Sequence, residues 1–371
     1  MRETTNVSMA SMPLQVASKP ASAVDETLRS TAQWDTTQRD ADLRKSIPAQ
    51  VFLNHFFAMD YHIQHHNDLF DVAKFPIFQQ FGGLGAADRQ VALEKLLLNS
   101  WSAEYALRIT PVLNDRSADS EQYLQNSLHW TFPQAYYSVL FSARAFLAVQ
   151  NINVSNEELI RKRIGNMVVR GYYPSSVGYY ALGPFNSYRI QRLPMAKRMA
   201  EASRSDLTLP SRHTSAQIDV AQFLKTTRDQ RIKALRNAVQ NNPKTALRSS
   251  RTGAVLQKFG PEQYKQLARQ IGYTTYFDML SRLRISSANG SGAPREIERF
   301  VDSEVDVRLF HQSLVNIVTH VNSLHEAYVA KALGIEAYRK LVAKLPTYLQ
   351  EGFVRERLNT VIEPILADAV K

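Results

Sequence analysis

Residues 127–150 read SLHWTFPQAYYSVLFSARAFLAVQ. Phe132, Tyr136, Val139, Leu140, Ala143, Phe146 and Leu147 recur at steps of three and four, so they line one stripe of an α-helix. Ser138, Ser142, Ala143 and Ala145 are small and let another helix approach closely. A helix this apolar has to bury its stripe against other elements, and the flanking sequence supplies helices to do it.

Upstream, Val91, Leu93, Leu96, Leu97 and Trp101 place a helix over Ala87–Tyr105. An earlier helix starts near Ser46 with Pro48 in its first turn and runs through Val51, Phe52, His55, Met59, His62, His66 and Phe70. The two are separated by Pro76, Gly82, Gly83 and Gly85, and Asp115–Ser120 reads as a polar loop. Downstream, Asn151–Asn156 ends the quoted helix, and Ser155 with Glu157 and Glu158 opens another. Residues 171–188, rich in Tyr, Gly and Pro, read as an aromatic loop with room for a short strand. Ala216–Gln240 and Pro261–Ile285 read as amphipathic helices, and Ser286–Pro294 as a flexible loop. From Glu304 to Lys371 long helices return, broken at Gly334 and near Pro346. No fixed-period repeat occurs and strand-like alternation is scarce. The expected class is all-α: a multi-helix bundle with an inserted basic helical segment and a Tyr/Gly/Pro-rich loop.

Composition narrows the chemistry. The chain has 371 residues, of which 44% are hydrophobic, and no cysteine. A sizeable core is available, while disulfides, thiolate zinc sites, iron–sulfur clusters and cysteine nucleophiles are excluded. Any metal has to be held by histidine and carboxylate. No stretch approaches the roughly 18 apolar residues of a membrane helix, and the start lacks a secretory h-region. The expected organisation is a tail over 1–45, the first part of a helical bundle over 46–185, a basic segment over 186–299, and C-terminal helices over 300–371 that pack on the bundle. The expected compartment is the cytoplasm, with no membrane partner.

Charge is uneven. Between Asn186 and Arg299 there are 21 basic and 8 acidic side chains; the remainder has 24 and 26, so the whole excess of +11 is local to this segment. Lys225, Arg228, Arg231 and Arg236 are spaced to share a helix face. Arg248, Arg251, Arg282 and Arg284 extend the set. Phosphate backbones reward such clustering through counterion release, and Tyr264, Tyr273, Tyr276 and Phe277 are suited to stack on unpaired bases. A solvated basic face and ordinary core tyrosines account for the same pattern.

The first helix carries a second signal. His55, Met59, His62 and His66 step by four, three and four, so they share one stripe. A histidine pair at i and i+4 chelates a metal from a single helix. His55, His62 and His66 are therefore the candidate ligands, with His65, Asp60, Asp68 and Asp71 beside them. A later stripe, His311, Val315, Val318, Asn322 and His325, would bring further imidazoles if the two helices packed together. Half-buried, hydrogen-bonded histidines, with Phe56, Phe57 and Phe70 beside them on the core, account for the first stripe without any metal.

The stretch Pro133–Leu147, PQAYYSVLFSARAFL, resembles the helix of HEPN domains that reads roughly AYYAxFxAARALL. A further echo lies at Leu283–Asn289, LRISSAN, ahead of the helix through His311 and His325; together these cover about a quarter of the chain. HEPN domains are small helical bundles found in RNases, toxins and phage-defence proteins. Their RNases carry an Arg followed four to six residues later by a His. Here Arg308 and His311 are too close, and Arg204 and His213 too far apart. The resemblance therefore implies a nucleotide- or RNA-associated bundle in host defence, without the RNA-cutting pair.

No phosphate loop, dinucleotide fingerprint, nucleophile elbow or Glu-x-x-His pair occurs, so no cofactor is expected and no catalytic residue is named. Three functions are expected in order: association with nucleic acid, RNA first, through the basic segment; a metal-dependent enzyme on the histidine-lined helix; or a structural or assembly protein that docks a protein partner, or a second copy of itself, through the aromatic loop.

Overall fold

A computed structural model describes residues 50–82, 88–111, 120–184, 187–201, 209–249, 251–256, 258–284, 307–350 and 352–369. The expected tail over 1–45, the polar loop after Asp115 and the flexible loop Ser286–Pro294 lie outside these residues, and the described residues belong to one compact unit. The fold is all-α and multi-helical, as the periodicity requires. Among the described residues no helix is long and apolar enough to cross a membrane.

Three long helices make the centre: α3 (Asp88–Ile109), α4 (Ser120–Ala148) and α9 (Val307–Leu333). Helix α9 is buried almost all round between Phe310 and Ala330, as befits a helix enclosed by others. Helix α4 is longer than the quoted stretch and carries Pro133 within it, which deletes one backbone hydrogen bond without ending the helix. Its small residues act as expected. Ser138 Oγ donates to the Ser100 carbonyl at 3.0 Å while Ser100 Oγ donates to the Ser138 carbonyl at 2.8 Å, so α3 and α4 touch backbone to backbone.

Helix α1 covers 50–66 and buries Phe52, Phe56, Met59 and Ile63. It stops four residues short of Phe70: Asn67 adopts φ +46°, its amide closing on the Ile63 carbonyl at 3.1 Å, and a 3-10 turn follows over Leu69–Lys74 before the short α2 (Pro76–Gln79). Asn tolerates this left-handed position better than most residues. Helix α5 spans Glu157–Arg170, capped by Asn156.

The aromatic loop supplies the central strand of a small antiparallel sheet in the order β2 (Arg189–Gln191), β1 (Tyr180–Leu182), β3 (Thr274–Thr275), with Ala181 opposite both Ile190 and Thr274. Gly178 and Gly183 shape its approach. A Cβ on Gly178 would lie 2.7 Å from the Pro174 carbonyl oxygen, and Gly183 has φ +96° with Ser187 O in the way. Helix α6 (His213–Asn241) runs beneath the sheet, followed by α7 (Pro261–Ile271) and α8 (Tyr276–Leu280). The expected single helix over Pro261–Ile285 is thus two, because Gly272 at φ +71° turns the chain into β3. Four short helical pieces follow α9: α10 (Ile335–Ala343), α11 (Thr347–Gln350), α12 (Phe353–Arg357) and, after a π-turn, α13 (Glu363–Asp368).

Candidate metal centre

Helices α1 and α6 pack antiparallel through aromatic contacts. Phe223 of α6 meets Phe52 and Phe56 of α1 edge-on, with ring centres 6.0 and 5.0 Å apart, and His55 stacks on it at 4.7 Å. Further along α1, the same packing delivers His62, His65 and His66 to the start of α6, where His213 is the first helical residue. Ser215 at the third helical position hydrogen-bonds the Arg212 backbone and fixes that start. Tyr61 also donates to the Ser211 carbonyl at 3.4 Å.

Four imidazoles therefore crowd together. His65 stacks on His213 with ring centres 3.8 Å apart, while His62 and His66 lie 5.2 and 5.1 Å from it. The ligand-capable nitrogens of His62, His66 and His213 all lie within 4.8 Å of one another, and His62 Nδ1 is 3.1 Å from His213 Nε2. Tetrahedral zinc with nitrogens at about 2.05 Å needs a nitrogen–nitrogen edge of about 3.3 Å. The closest pair already has that spacing, and the widest gap has at most about 1.5 Å to close.

The electrostatics favour lone pairs over protons. Burial, then the neighbouring His66 and His213, push the His62 pKa down to about 3 against an opposing Ser175 backbone contribution. Burial, then His65 and His66, lower that of His213. Metals bind neutral imidazole, so the lowered values at His62 and His213 reduce the proton-release cost of binding there. His62 is buried, His66 and His213 are half-buried and His65 is exposed, so the cluster has one side on solvent.

A shell of polar groups surrounds it. Gln217, one turn after His213, sets its amide nitrogen 3.2 Å from His213 Nε2 and accepts from the Met195 amide. The left-handed Asn67 turns buried Asp68 back toward His66; its Oδ2 lies 3.9 Å from His66 Nδ1 and accepts from the Ser176 amide at 3.0 Å. Ser176 Oγ in turn meets His320 Nε2 at 2.9 Å. Three buried atoms of this neighbourhood lack a partner at hydrogen-bonding geometry: His62 Nε2, Asp68 Oδ1 and the hydroxyl of Tyr179, whose ring lies 5.6 Å from that of His62. Buried polar atoms are normally paired, so orphans gathered at one place fit a site that takes a ligand.

The structure brings together two of the three expected ligands and replaces the third. His55 faces Phe223, away from the other two, and burial with the nearby Arg282 pushes its pKa down to about 3. His62 and His66 lie on the side of α1 that meets His213, while His55 is part of the packing that seats them. His311 and His325 do not join either: His311 bonds the Leu107 carbonyl, and His325 sits among Ser142, Tyr173 and Tyr276. His213, Gln217, Ser176 and His320 had no legible signal. A histidine opening a basic helix some 150 residues away has no spacing to read.

The basic residues divide. Arg228 is 1% exposed and donates to the carbonyls of Ala181, Gly183 and Gly272 and to Thr274 Oγ1. Arg231 pairs with Asp278 at 2.8 Å and Glu158 at 2.9 Å. The expected positive stripe is thus corrected at these two positions: the ends of β1 and β3 leave carbonyls without partners, and α6 turns its arginines inward to satisfy them. Arg282 lies over the rings of Phe52 and Phe223, Arg284 pairs with Glu157, Arg236 covers Phe259 and Lys225 covers Tyr188. Arg248 and Arg251 are exposed.

No family model matches this chain, and no curated protein or solved structure matches it either.

Proposed function

We propose that this protein is a metal-dependent enzyme that holds a divalent transition ion, zinc first, on His62, His66 and His213. The reading is carried by one observation: the ligand nitrogens of three imidazoles from two helices converge within 4.8 Å. Three protein nitrogens with a side on solvent match a catalytic zinc site, which keeps a position open, rather than a closed structural one. A bound ion supplies Lewis acidity toward an oxygen of water or substrate. Asp68 lies 3.9 Å from His66, Gln217 reaches His213, and exposed His65 borders the approach.

Elemental analysis of protein purified without an affinity tag tests the reading. One equivalent of metal is expected, lost in His62→Ala, His66→Ala and His213→Ala and kept in His311→Ala. Wild-type protein that binds no zinc in titration would refute it.

A second reading, RNA association, is supported by a separate observation. After α6, a turn closed by the bridge between Arg248 and Val255 exposes Lys244, Arg248, Arg251 and Lys258. The helices on either side of it, α6 and α7, share a small core of Ile232, Leu267 and Ile271. Reversal of Arg248 and Arg251 to Glu is expected to abolish salt-sensitive binding of a single-stranded RNA oligomer. Unchanged binding in that variant rejects the turn as the contact.

A further inference from the structure

A concave site lies on elements that the histidines do not use. Helix α3 contributes Lys95, Leu96 and Asn99; α4 contributes Arg144 and Ala148; and the chain after α4 closes the far wall. The left-handed Asn151, φ +63°, makes that wall. The Ile152 amide returns to the Leu147 carbonyl, and residues 152–155 then cross the end of α4. The cavity between them has a volume of about 570 Å³.

Its chemistry is lopsided. Leu96, Ala148, Ile152 and Val154 give an apolar floor, and Asn99, Asn153 and Ser155 add uncharged donors and acceptors. Lys95 and Arg144 are its two charges, both positive. Among the described residues neither is joined to a carboxylate: Arg144 lies only over the Phe141 ring, 5.9 Å away, and its Nε is shielded from solvent without a hydrogen-bond partner. Elsewhere in this fold half-buried arginines find acids, as Arg108 does with Glu104 and Arg161 with Glu157. Arg144 faces the cavity because the neighbouring positions Ala143, Ala145 and Phe146 take the core side of α4.

We infer that the cavity between α3, α4 and residues 152–155 is a binding site for a small phosphomonoester, with Arg144 and Lys95 on the phosphate. Two cations match a dianion, and a guanidinium presents paired N–H donors to two phosphate oxygens while an ammonium adds a point charge. Asn99, Asn153 and Ser155 are placed to meet hydroxyl or carbonyl groups of the ester's organic part, which rests on the apolar floor. A volume in this range suits a small ligand. The site stands whether or not the histidine cluster holds a metal.

Phenyl phosphate, phenol and inorganic phosphate are the probes, titrated into the full-length protein by calorimetry, with the Arg144 Nε–H resonance followed by NMR. Phenyl phosphate is expected to bind one to one and to shift that resonance, phenol not to bind, and phosphate alone to bind more weakly. Arg144→Gln should weaken phenyl phosphate roughly 10- to 100-fold, as loss of a charge-assisted pair does. Lys95→Gln should weaken it less, and Lys340→Gln, on α10, should leave it unchanged. Arg144→Lys keeps the charge and loses the fork, so it should fall between wild type and Arg144→Gln. Equal affinity in wild type and Arg144→Gln, or no saturable binding of phenyl phosphate, overturns the assignment.

Discussion

Two regions of this molecule gather titratable groups, and they differ in how those groups are matched. In the centre, Glu104 and Glu326 are fully buried and share Arg357. Glu104 also accepts from Arg108 and from Asn322, and Glu326 from Trp101 and Tyr338. Asn322 continues through Ser138 and Ser142 to His325, whose Nε2 meets the hydroxyls of Tyr173 and Tyr276. Two carboxylates face two guanidinium groups, and within this network only Arg357 Nε lacks a partner. At the histidine cluster the balance is absent. Four imidazoles face one another, and His62, Asp68 and Tyr179 each keep a buried atom without a partner at hydrogen-bonding geometry. A satisfied network specifies a fold; an unsatisfied one is what a protein keeps for a ligand.

Acid is expected to have the largest effect, since it strikes both regions. Burial lowers the pKa of His325 and His62 to about 3 from an unfolded value of 6.5. The unfolded chain therefore takes up protons first. Stability is whole above pH 6.5 and falls as pH drops toward 3, by up to about 1.4 kcal/mol per pH unit for each such histidine. Burial raises the Glu104 carboxyl, but Arg357 and Arg108 outweigh it and the net pKa is lowered, so a further loss sets in as that carboxylate protonates. Denaturant melts at pH 7.5, 6 and 5 measure the slope, and a flat profile would mean that these histidines are solvated.

Next in size is Arg357→Met, which strands Glu104 and Glu326 in the core. It should cost about 3–5 kcal/mol or prevent folding, read by chemical denaturation. Arg228→Met should follow at about 2–3 kcal/mol, because it leaves the carbonyls of Ala181, Gly183 and Gly272 unpaired. It should not change RNA binding in protein that folds, whereas reversal of Arg248 and Arg251 should do the opposite: little change in the melt and loss of RNA. If both variants lose RNA and stability together, the division between inward and outward arginines is wrong.

The histidine cluster should show the smallest change in the apo protein and the clearest response to metal. His213→Ala should shift apo stability by no more than about 1 kcal/mol, as half-exposed positions do. Zinc at about 100 times its Kd should stabilise the wild type by about 2.7 kcal/mol and His213→Ala not at all. A thermal melt with and without zinc decides it. Equal zinc stabilisation of both proteins would erase the contrast between the two regions.

Much of the fold was legible. The stripe through Phe132, Tyr136, Val139 and Phe146 required a core helix, Ser138 and Ser142 announced a close helix contact, and Gly334 and Pro346 marked real breaks. The site was half legible. His62 and His66 share a stripe because helical geometry is local, and spacing reports it. Arg228 and Arg231 misled because the same spacing describes a face without saying what covers it.

The sequence by itself determined the helical class, the absence of thiolate chemistry, the local basic excess and the pairing of His62 with His66, all of which depend on composition or on contacts within a few residues. Only the tertiary structure decided that His213 completes the cluster, that His55 leaves it, and that arginines of α6 serve the strand carbonyls. Those outcomes rest on which distant surfaces exclude water together, and burial between remote segments leaves no periodic mark in either of them.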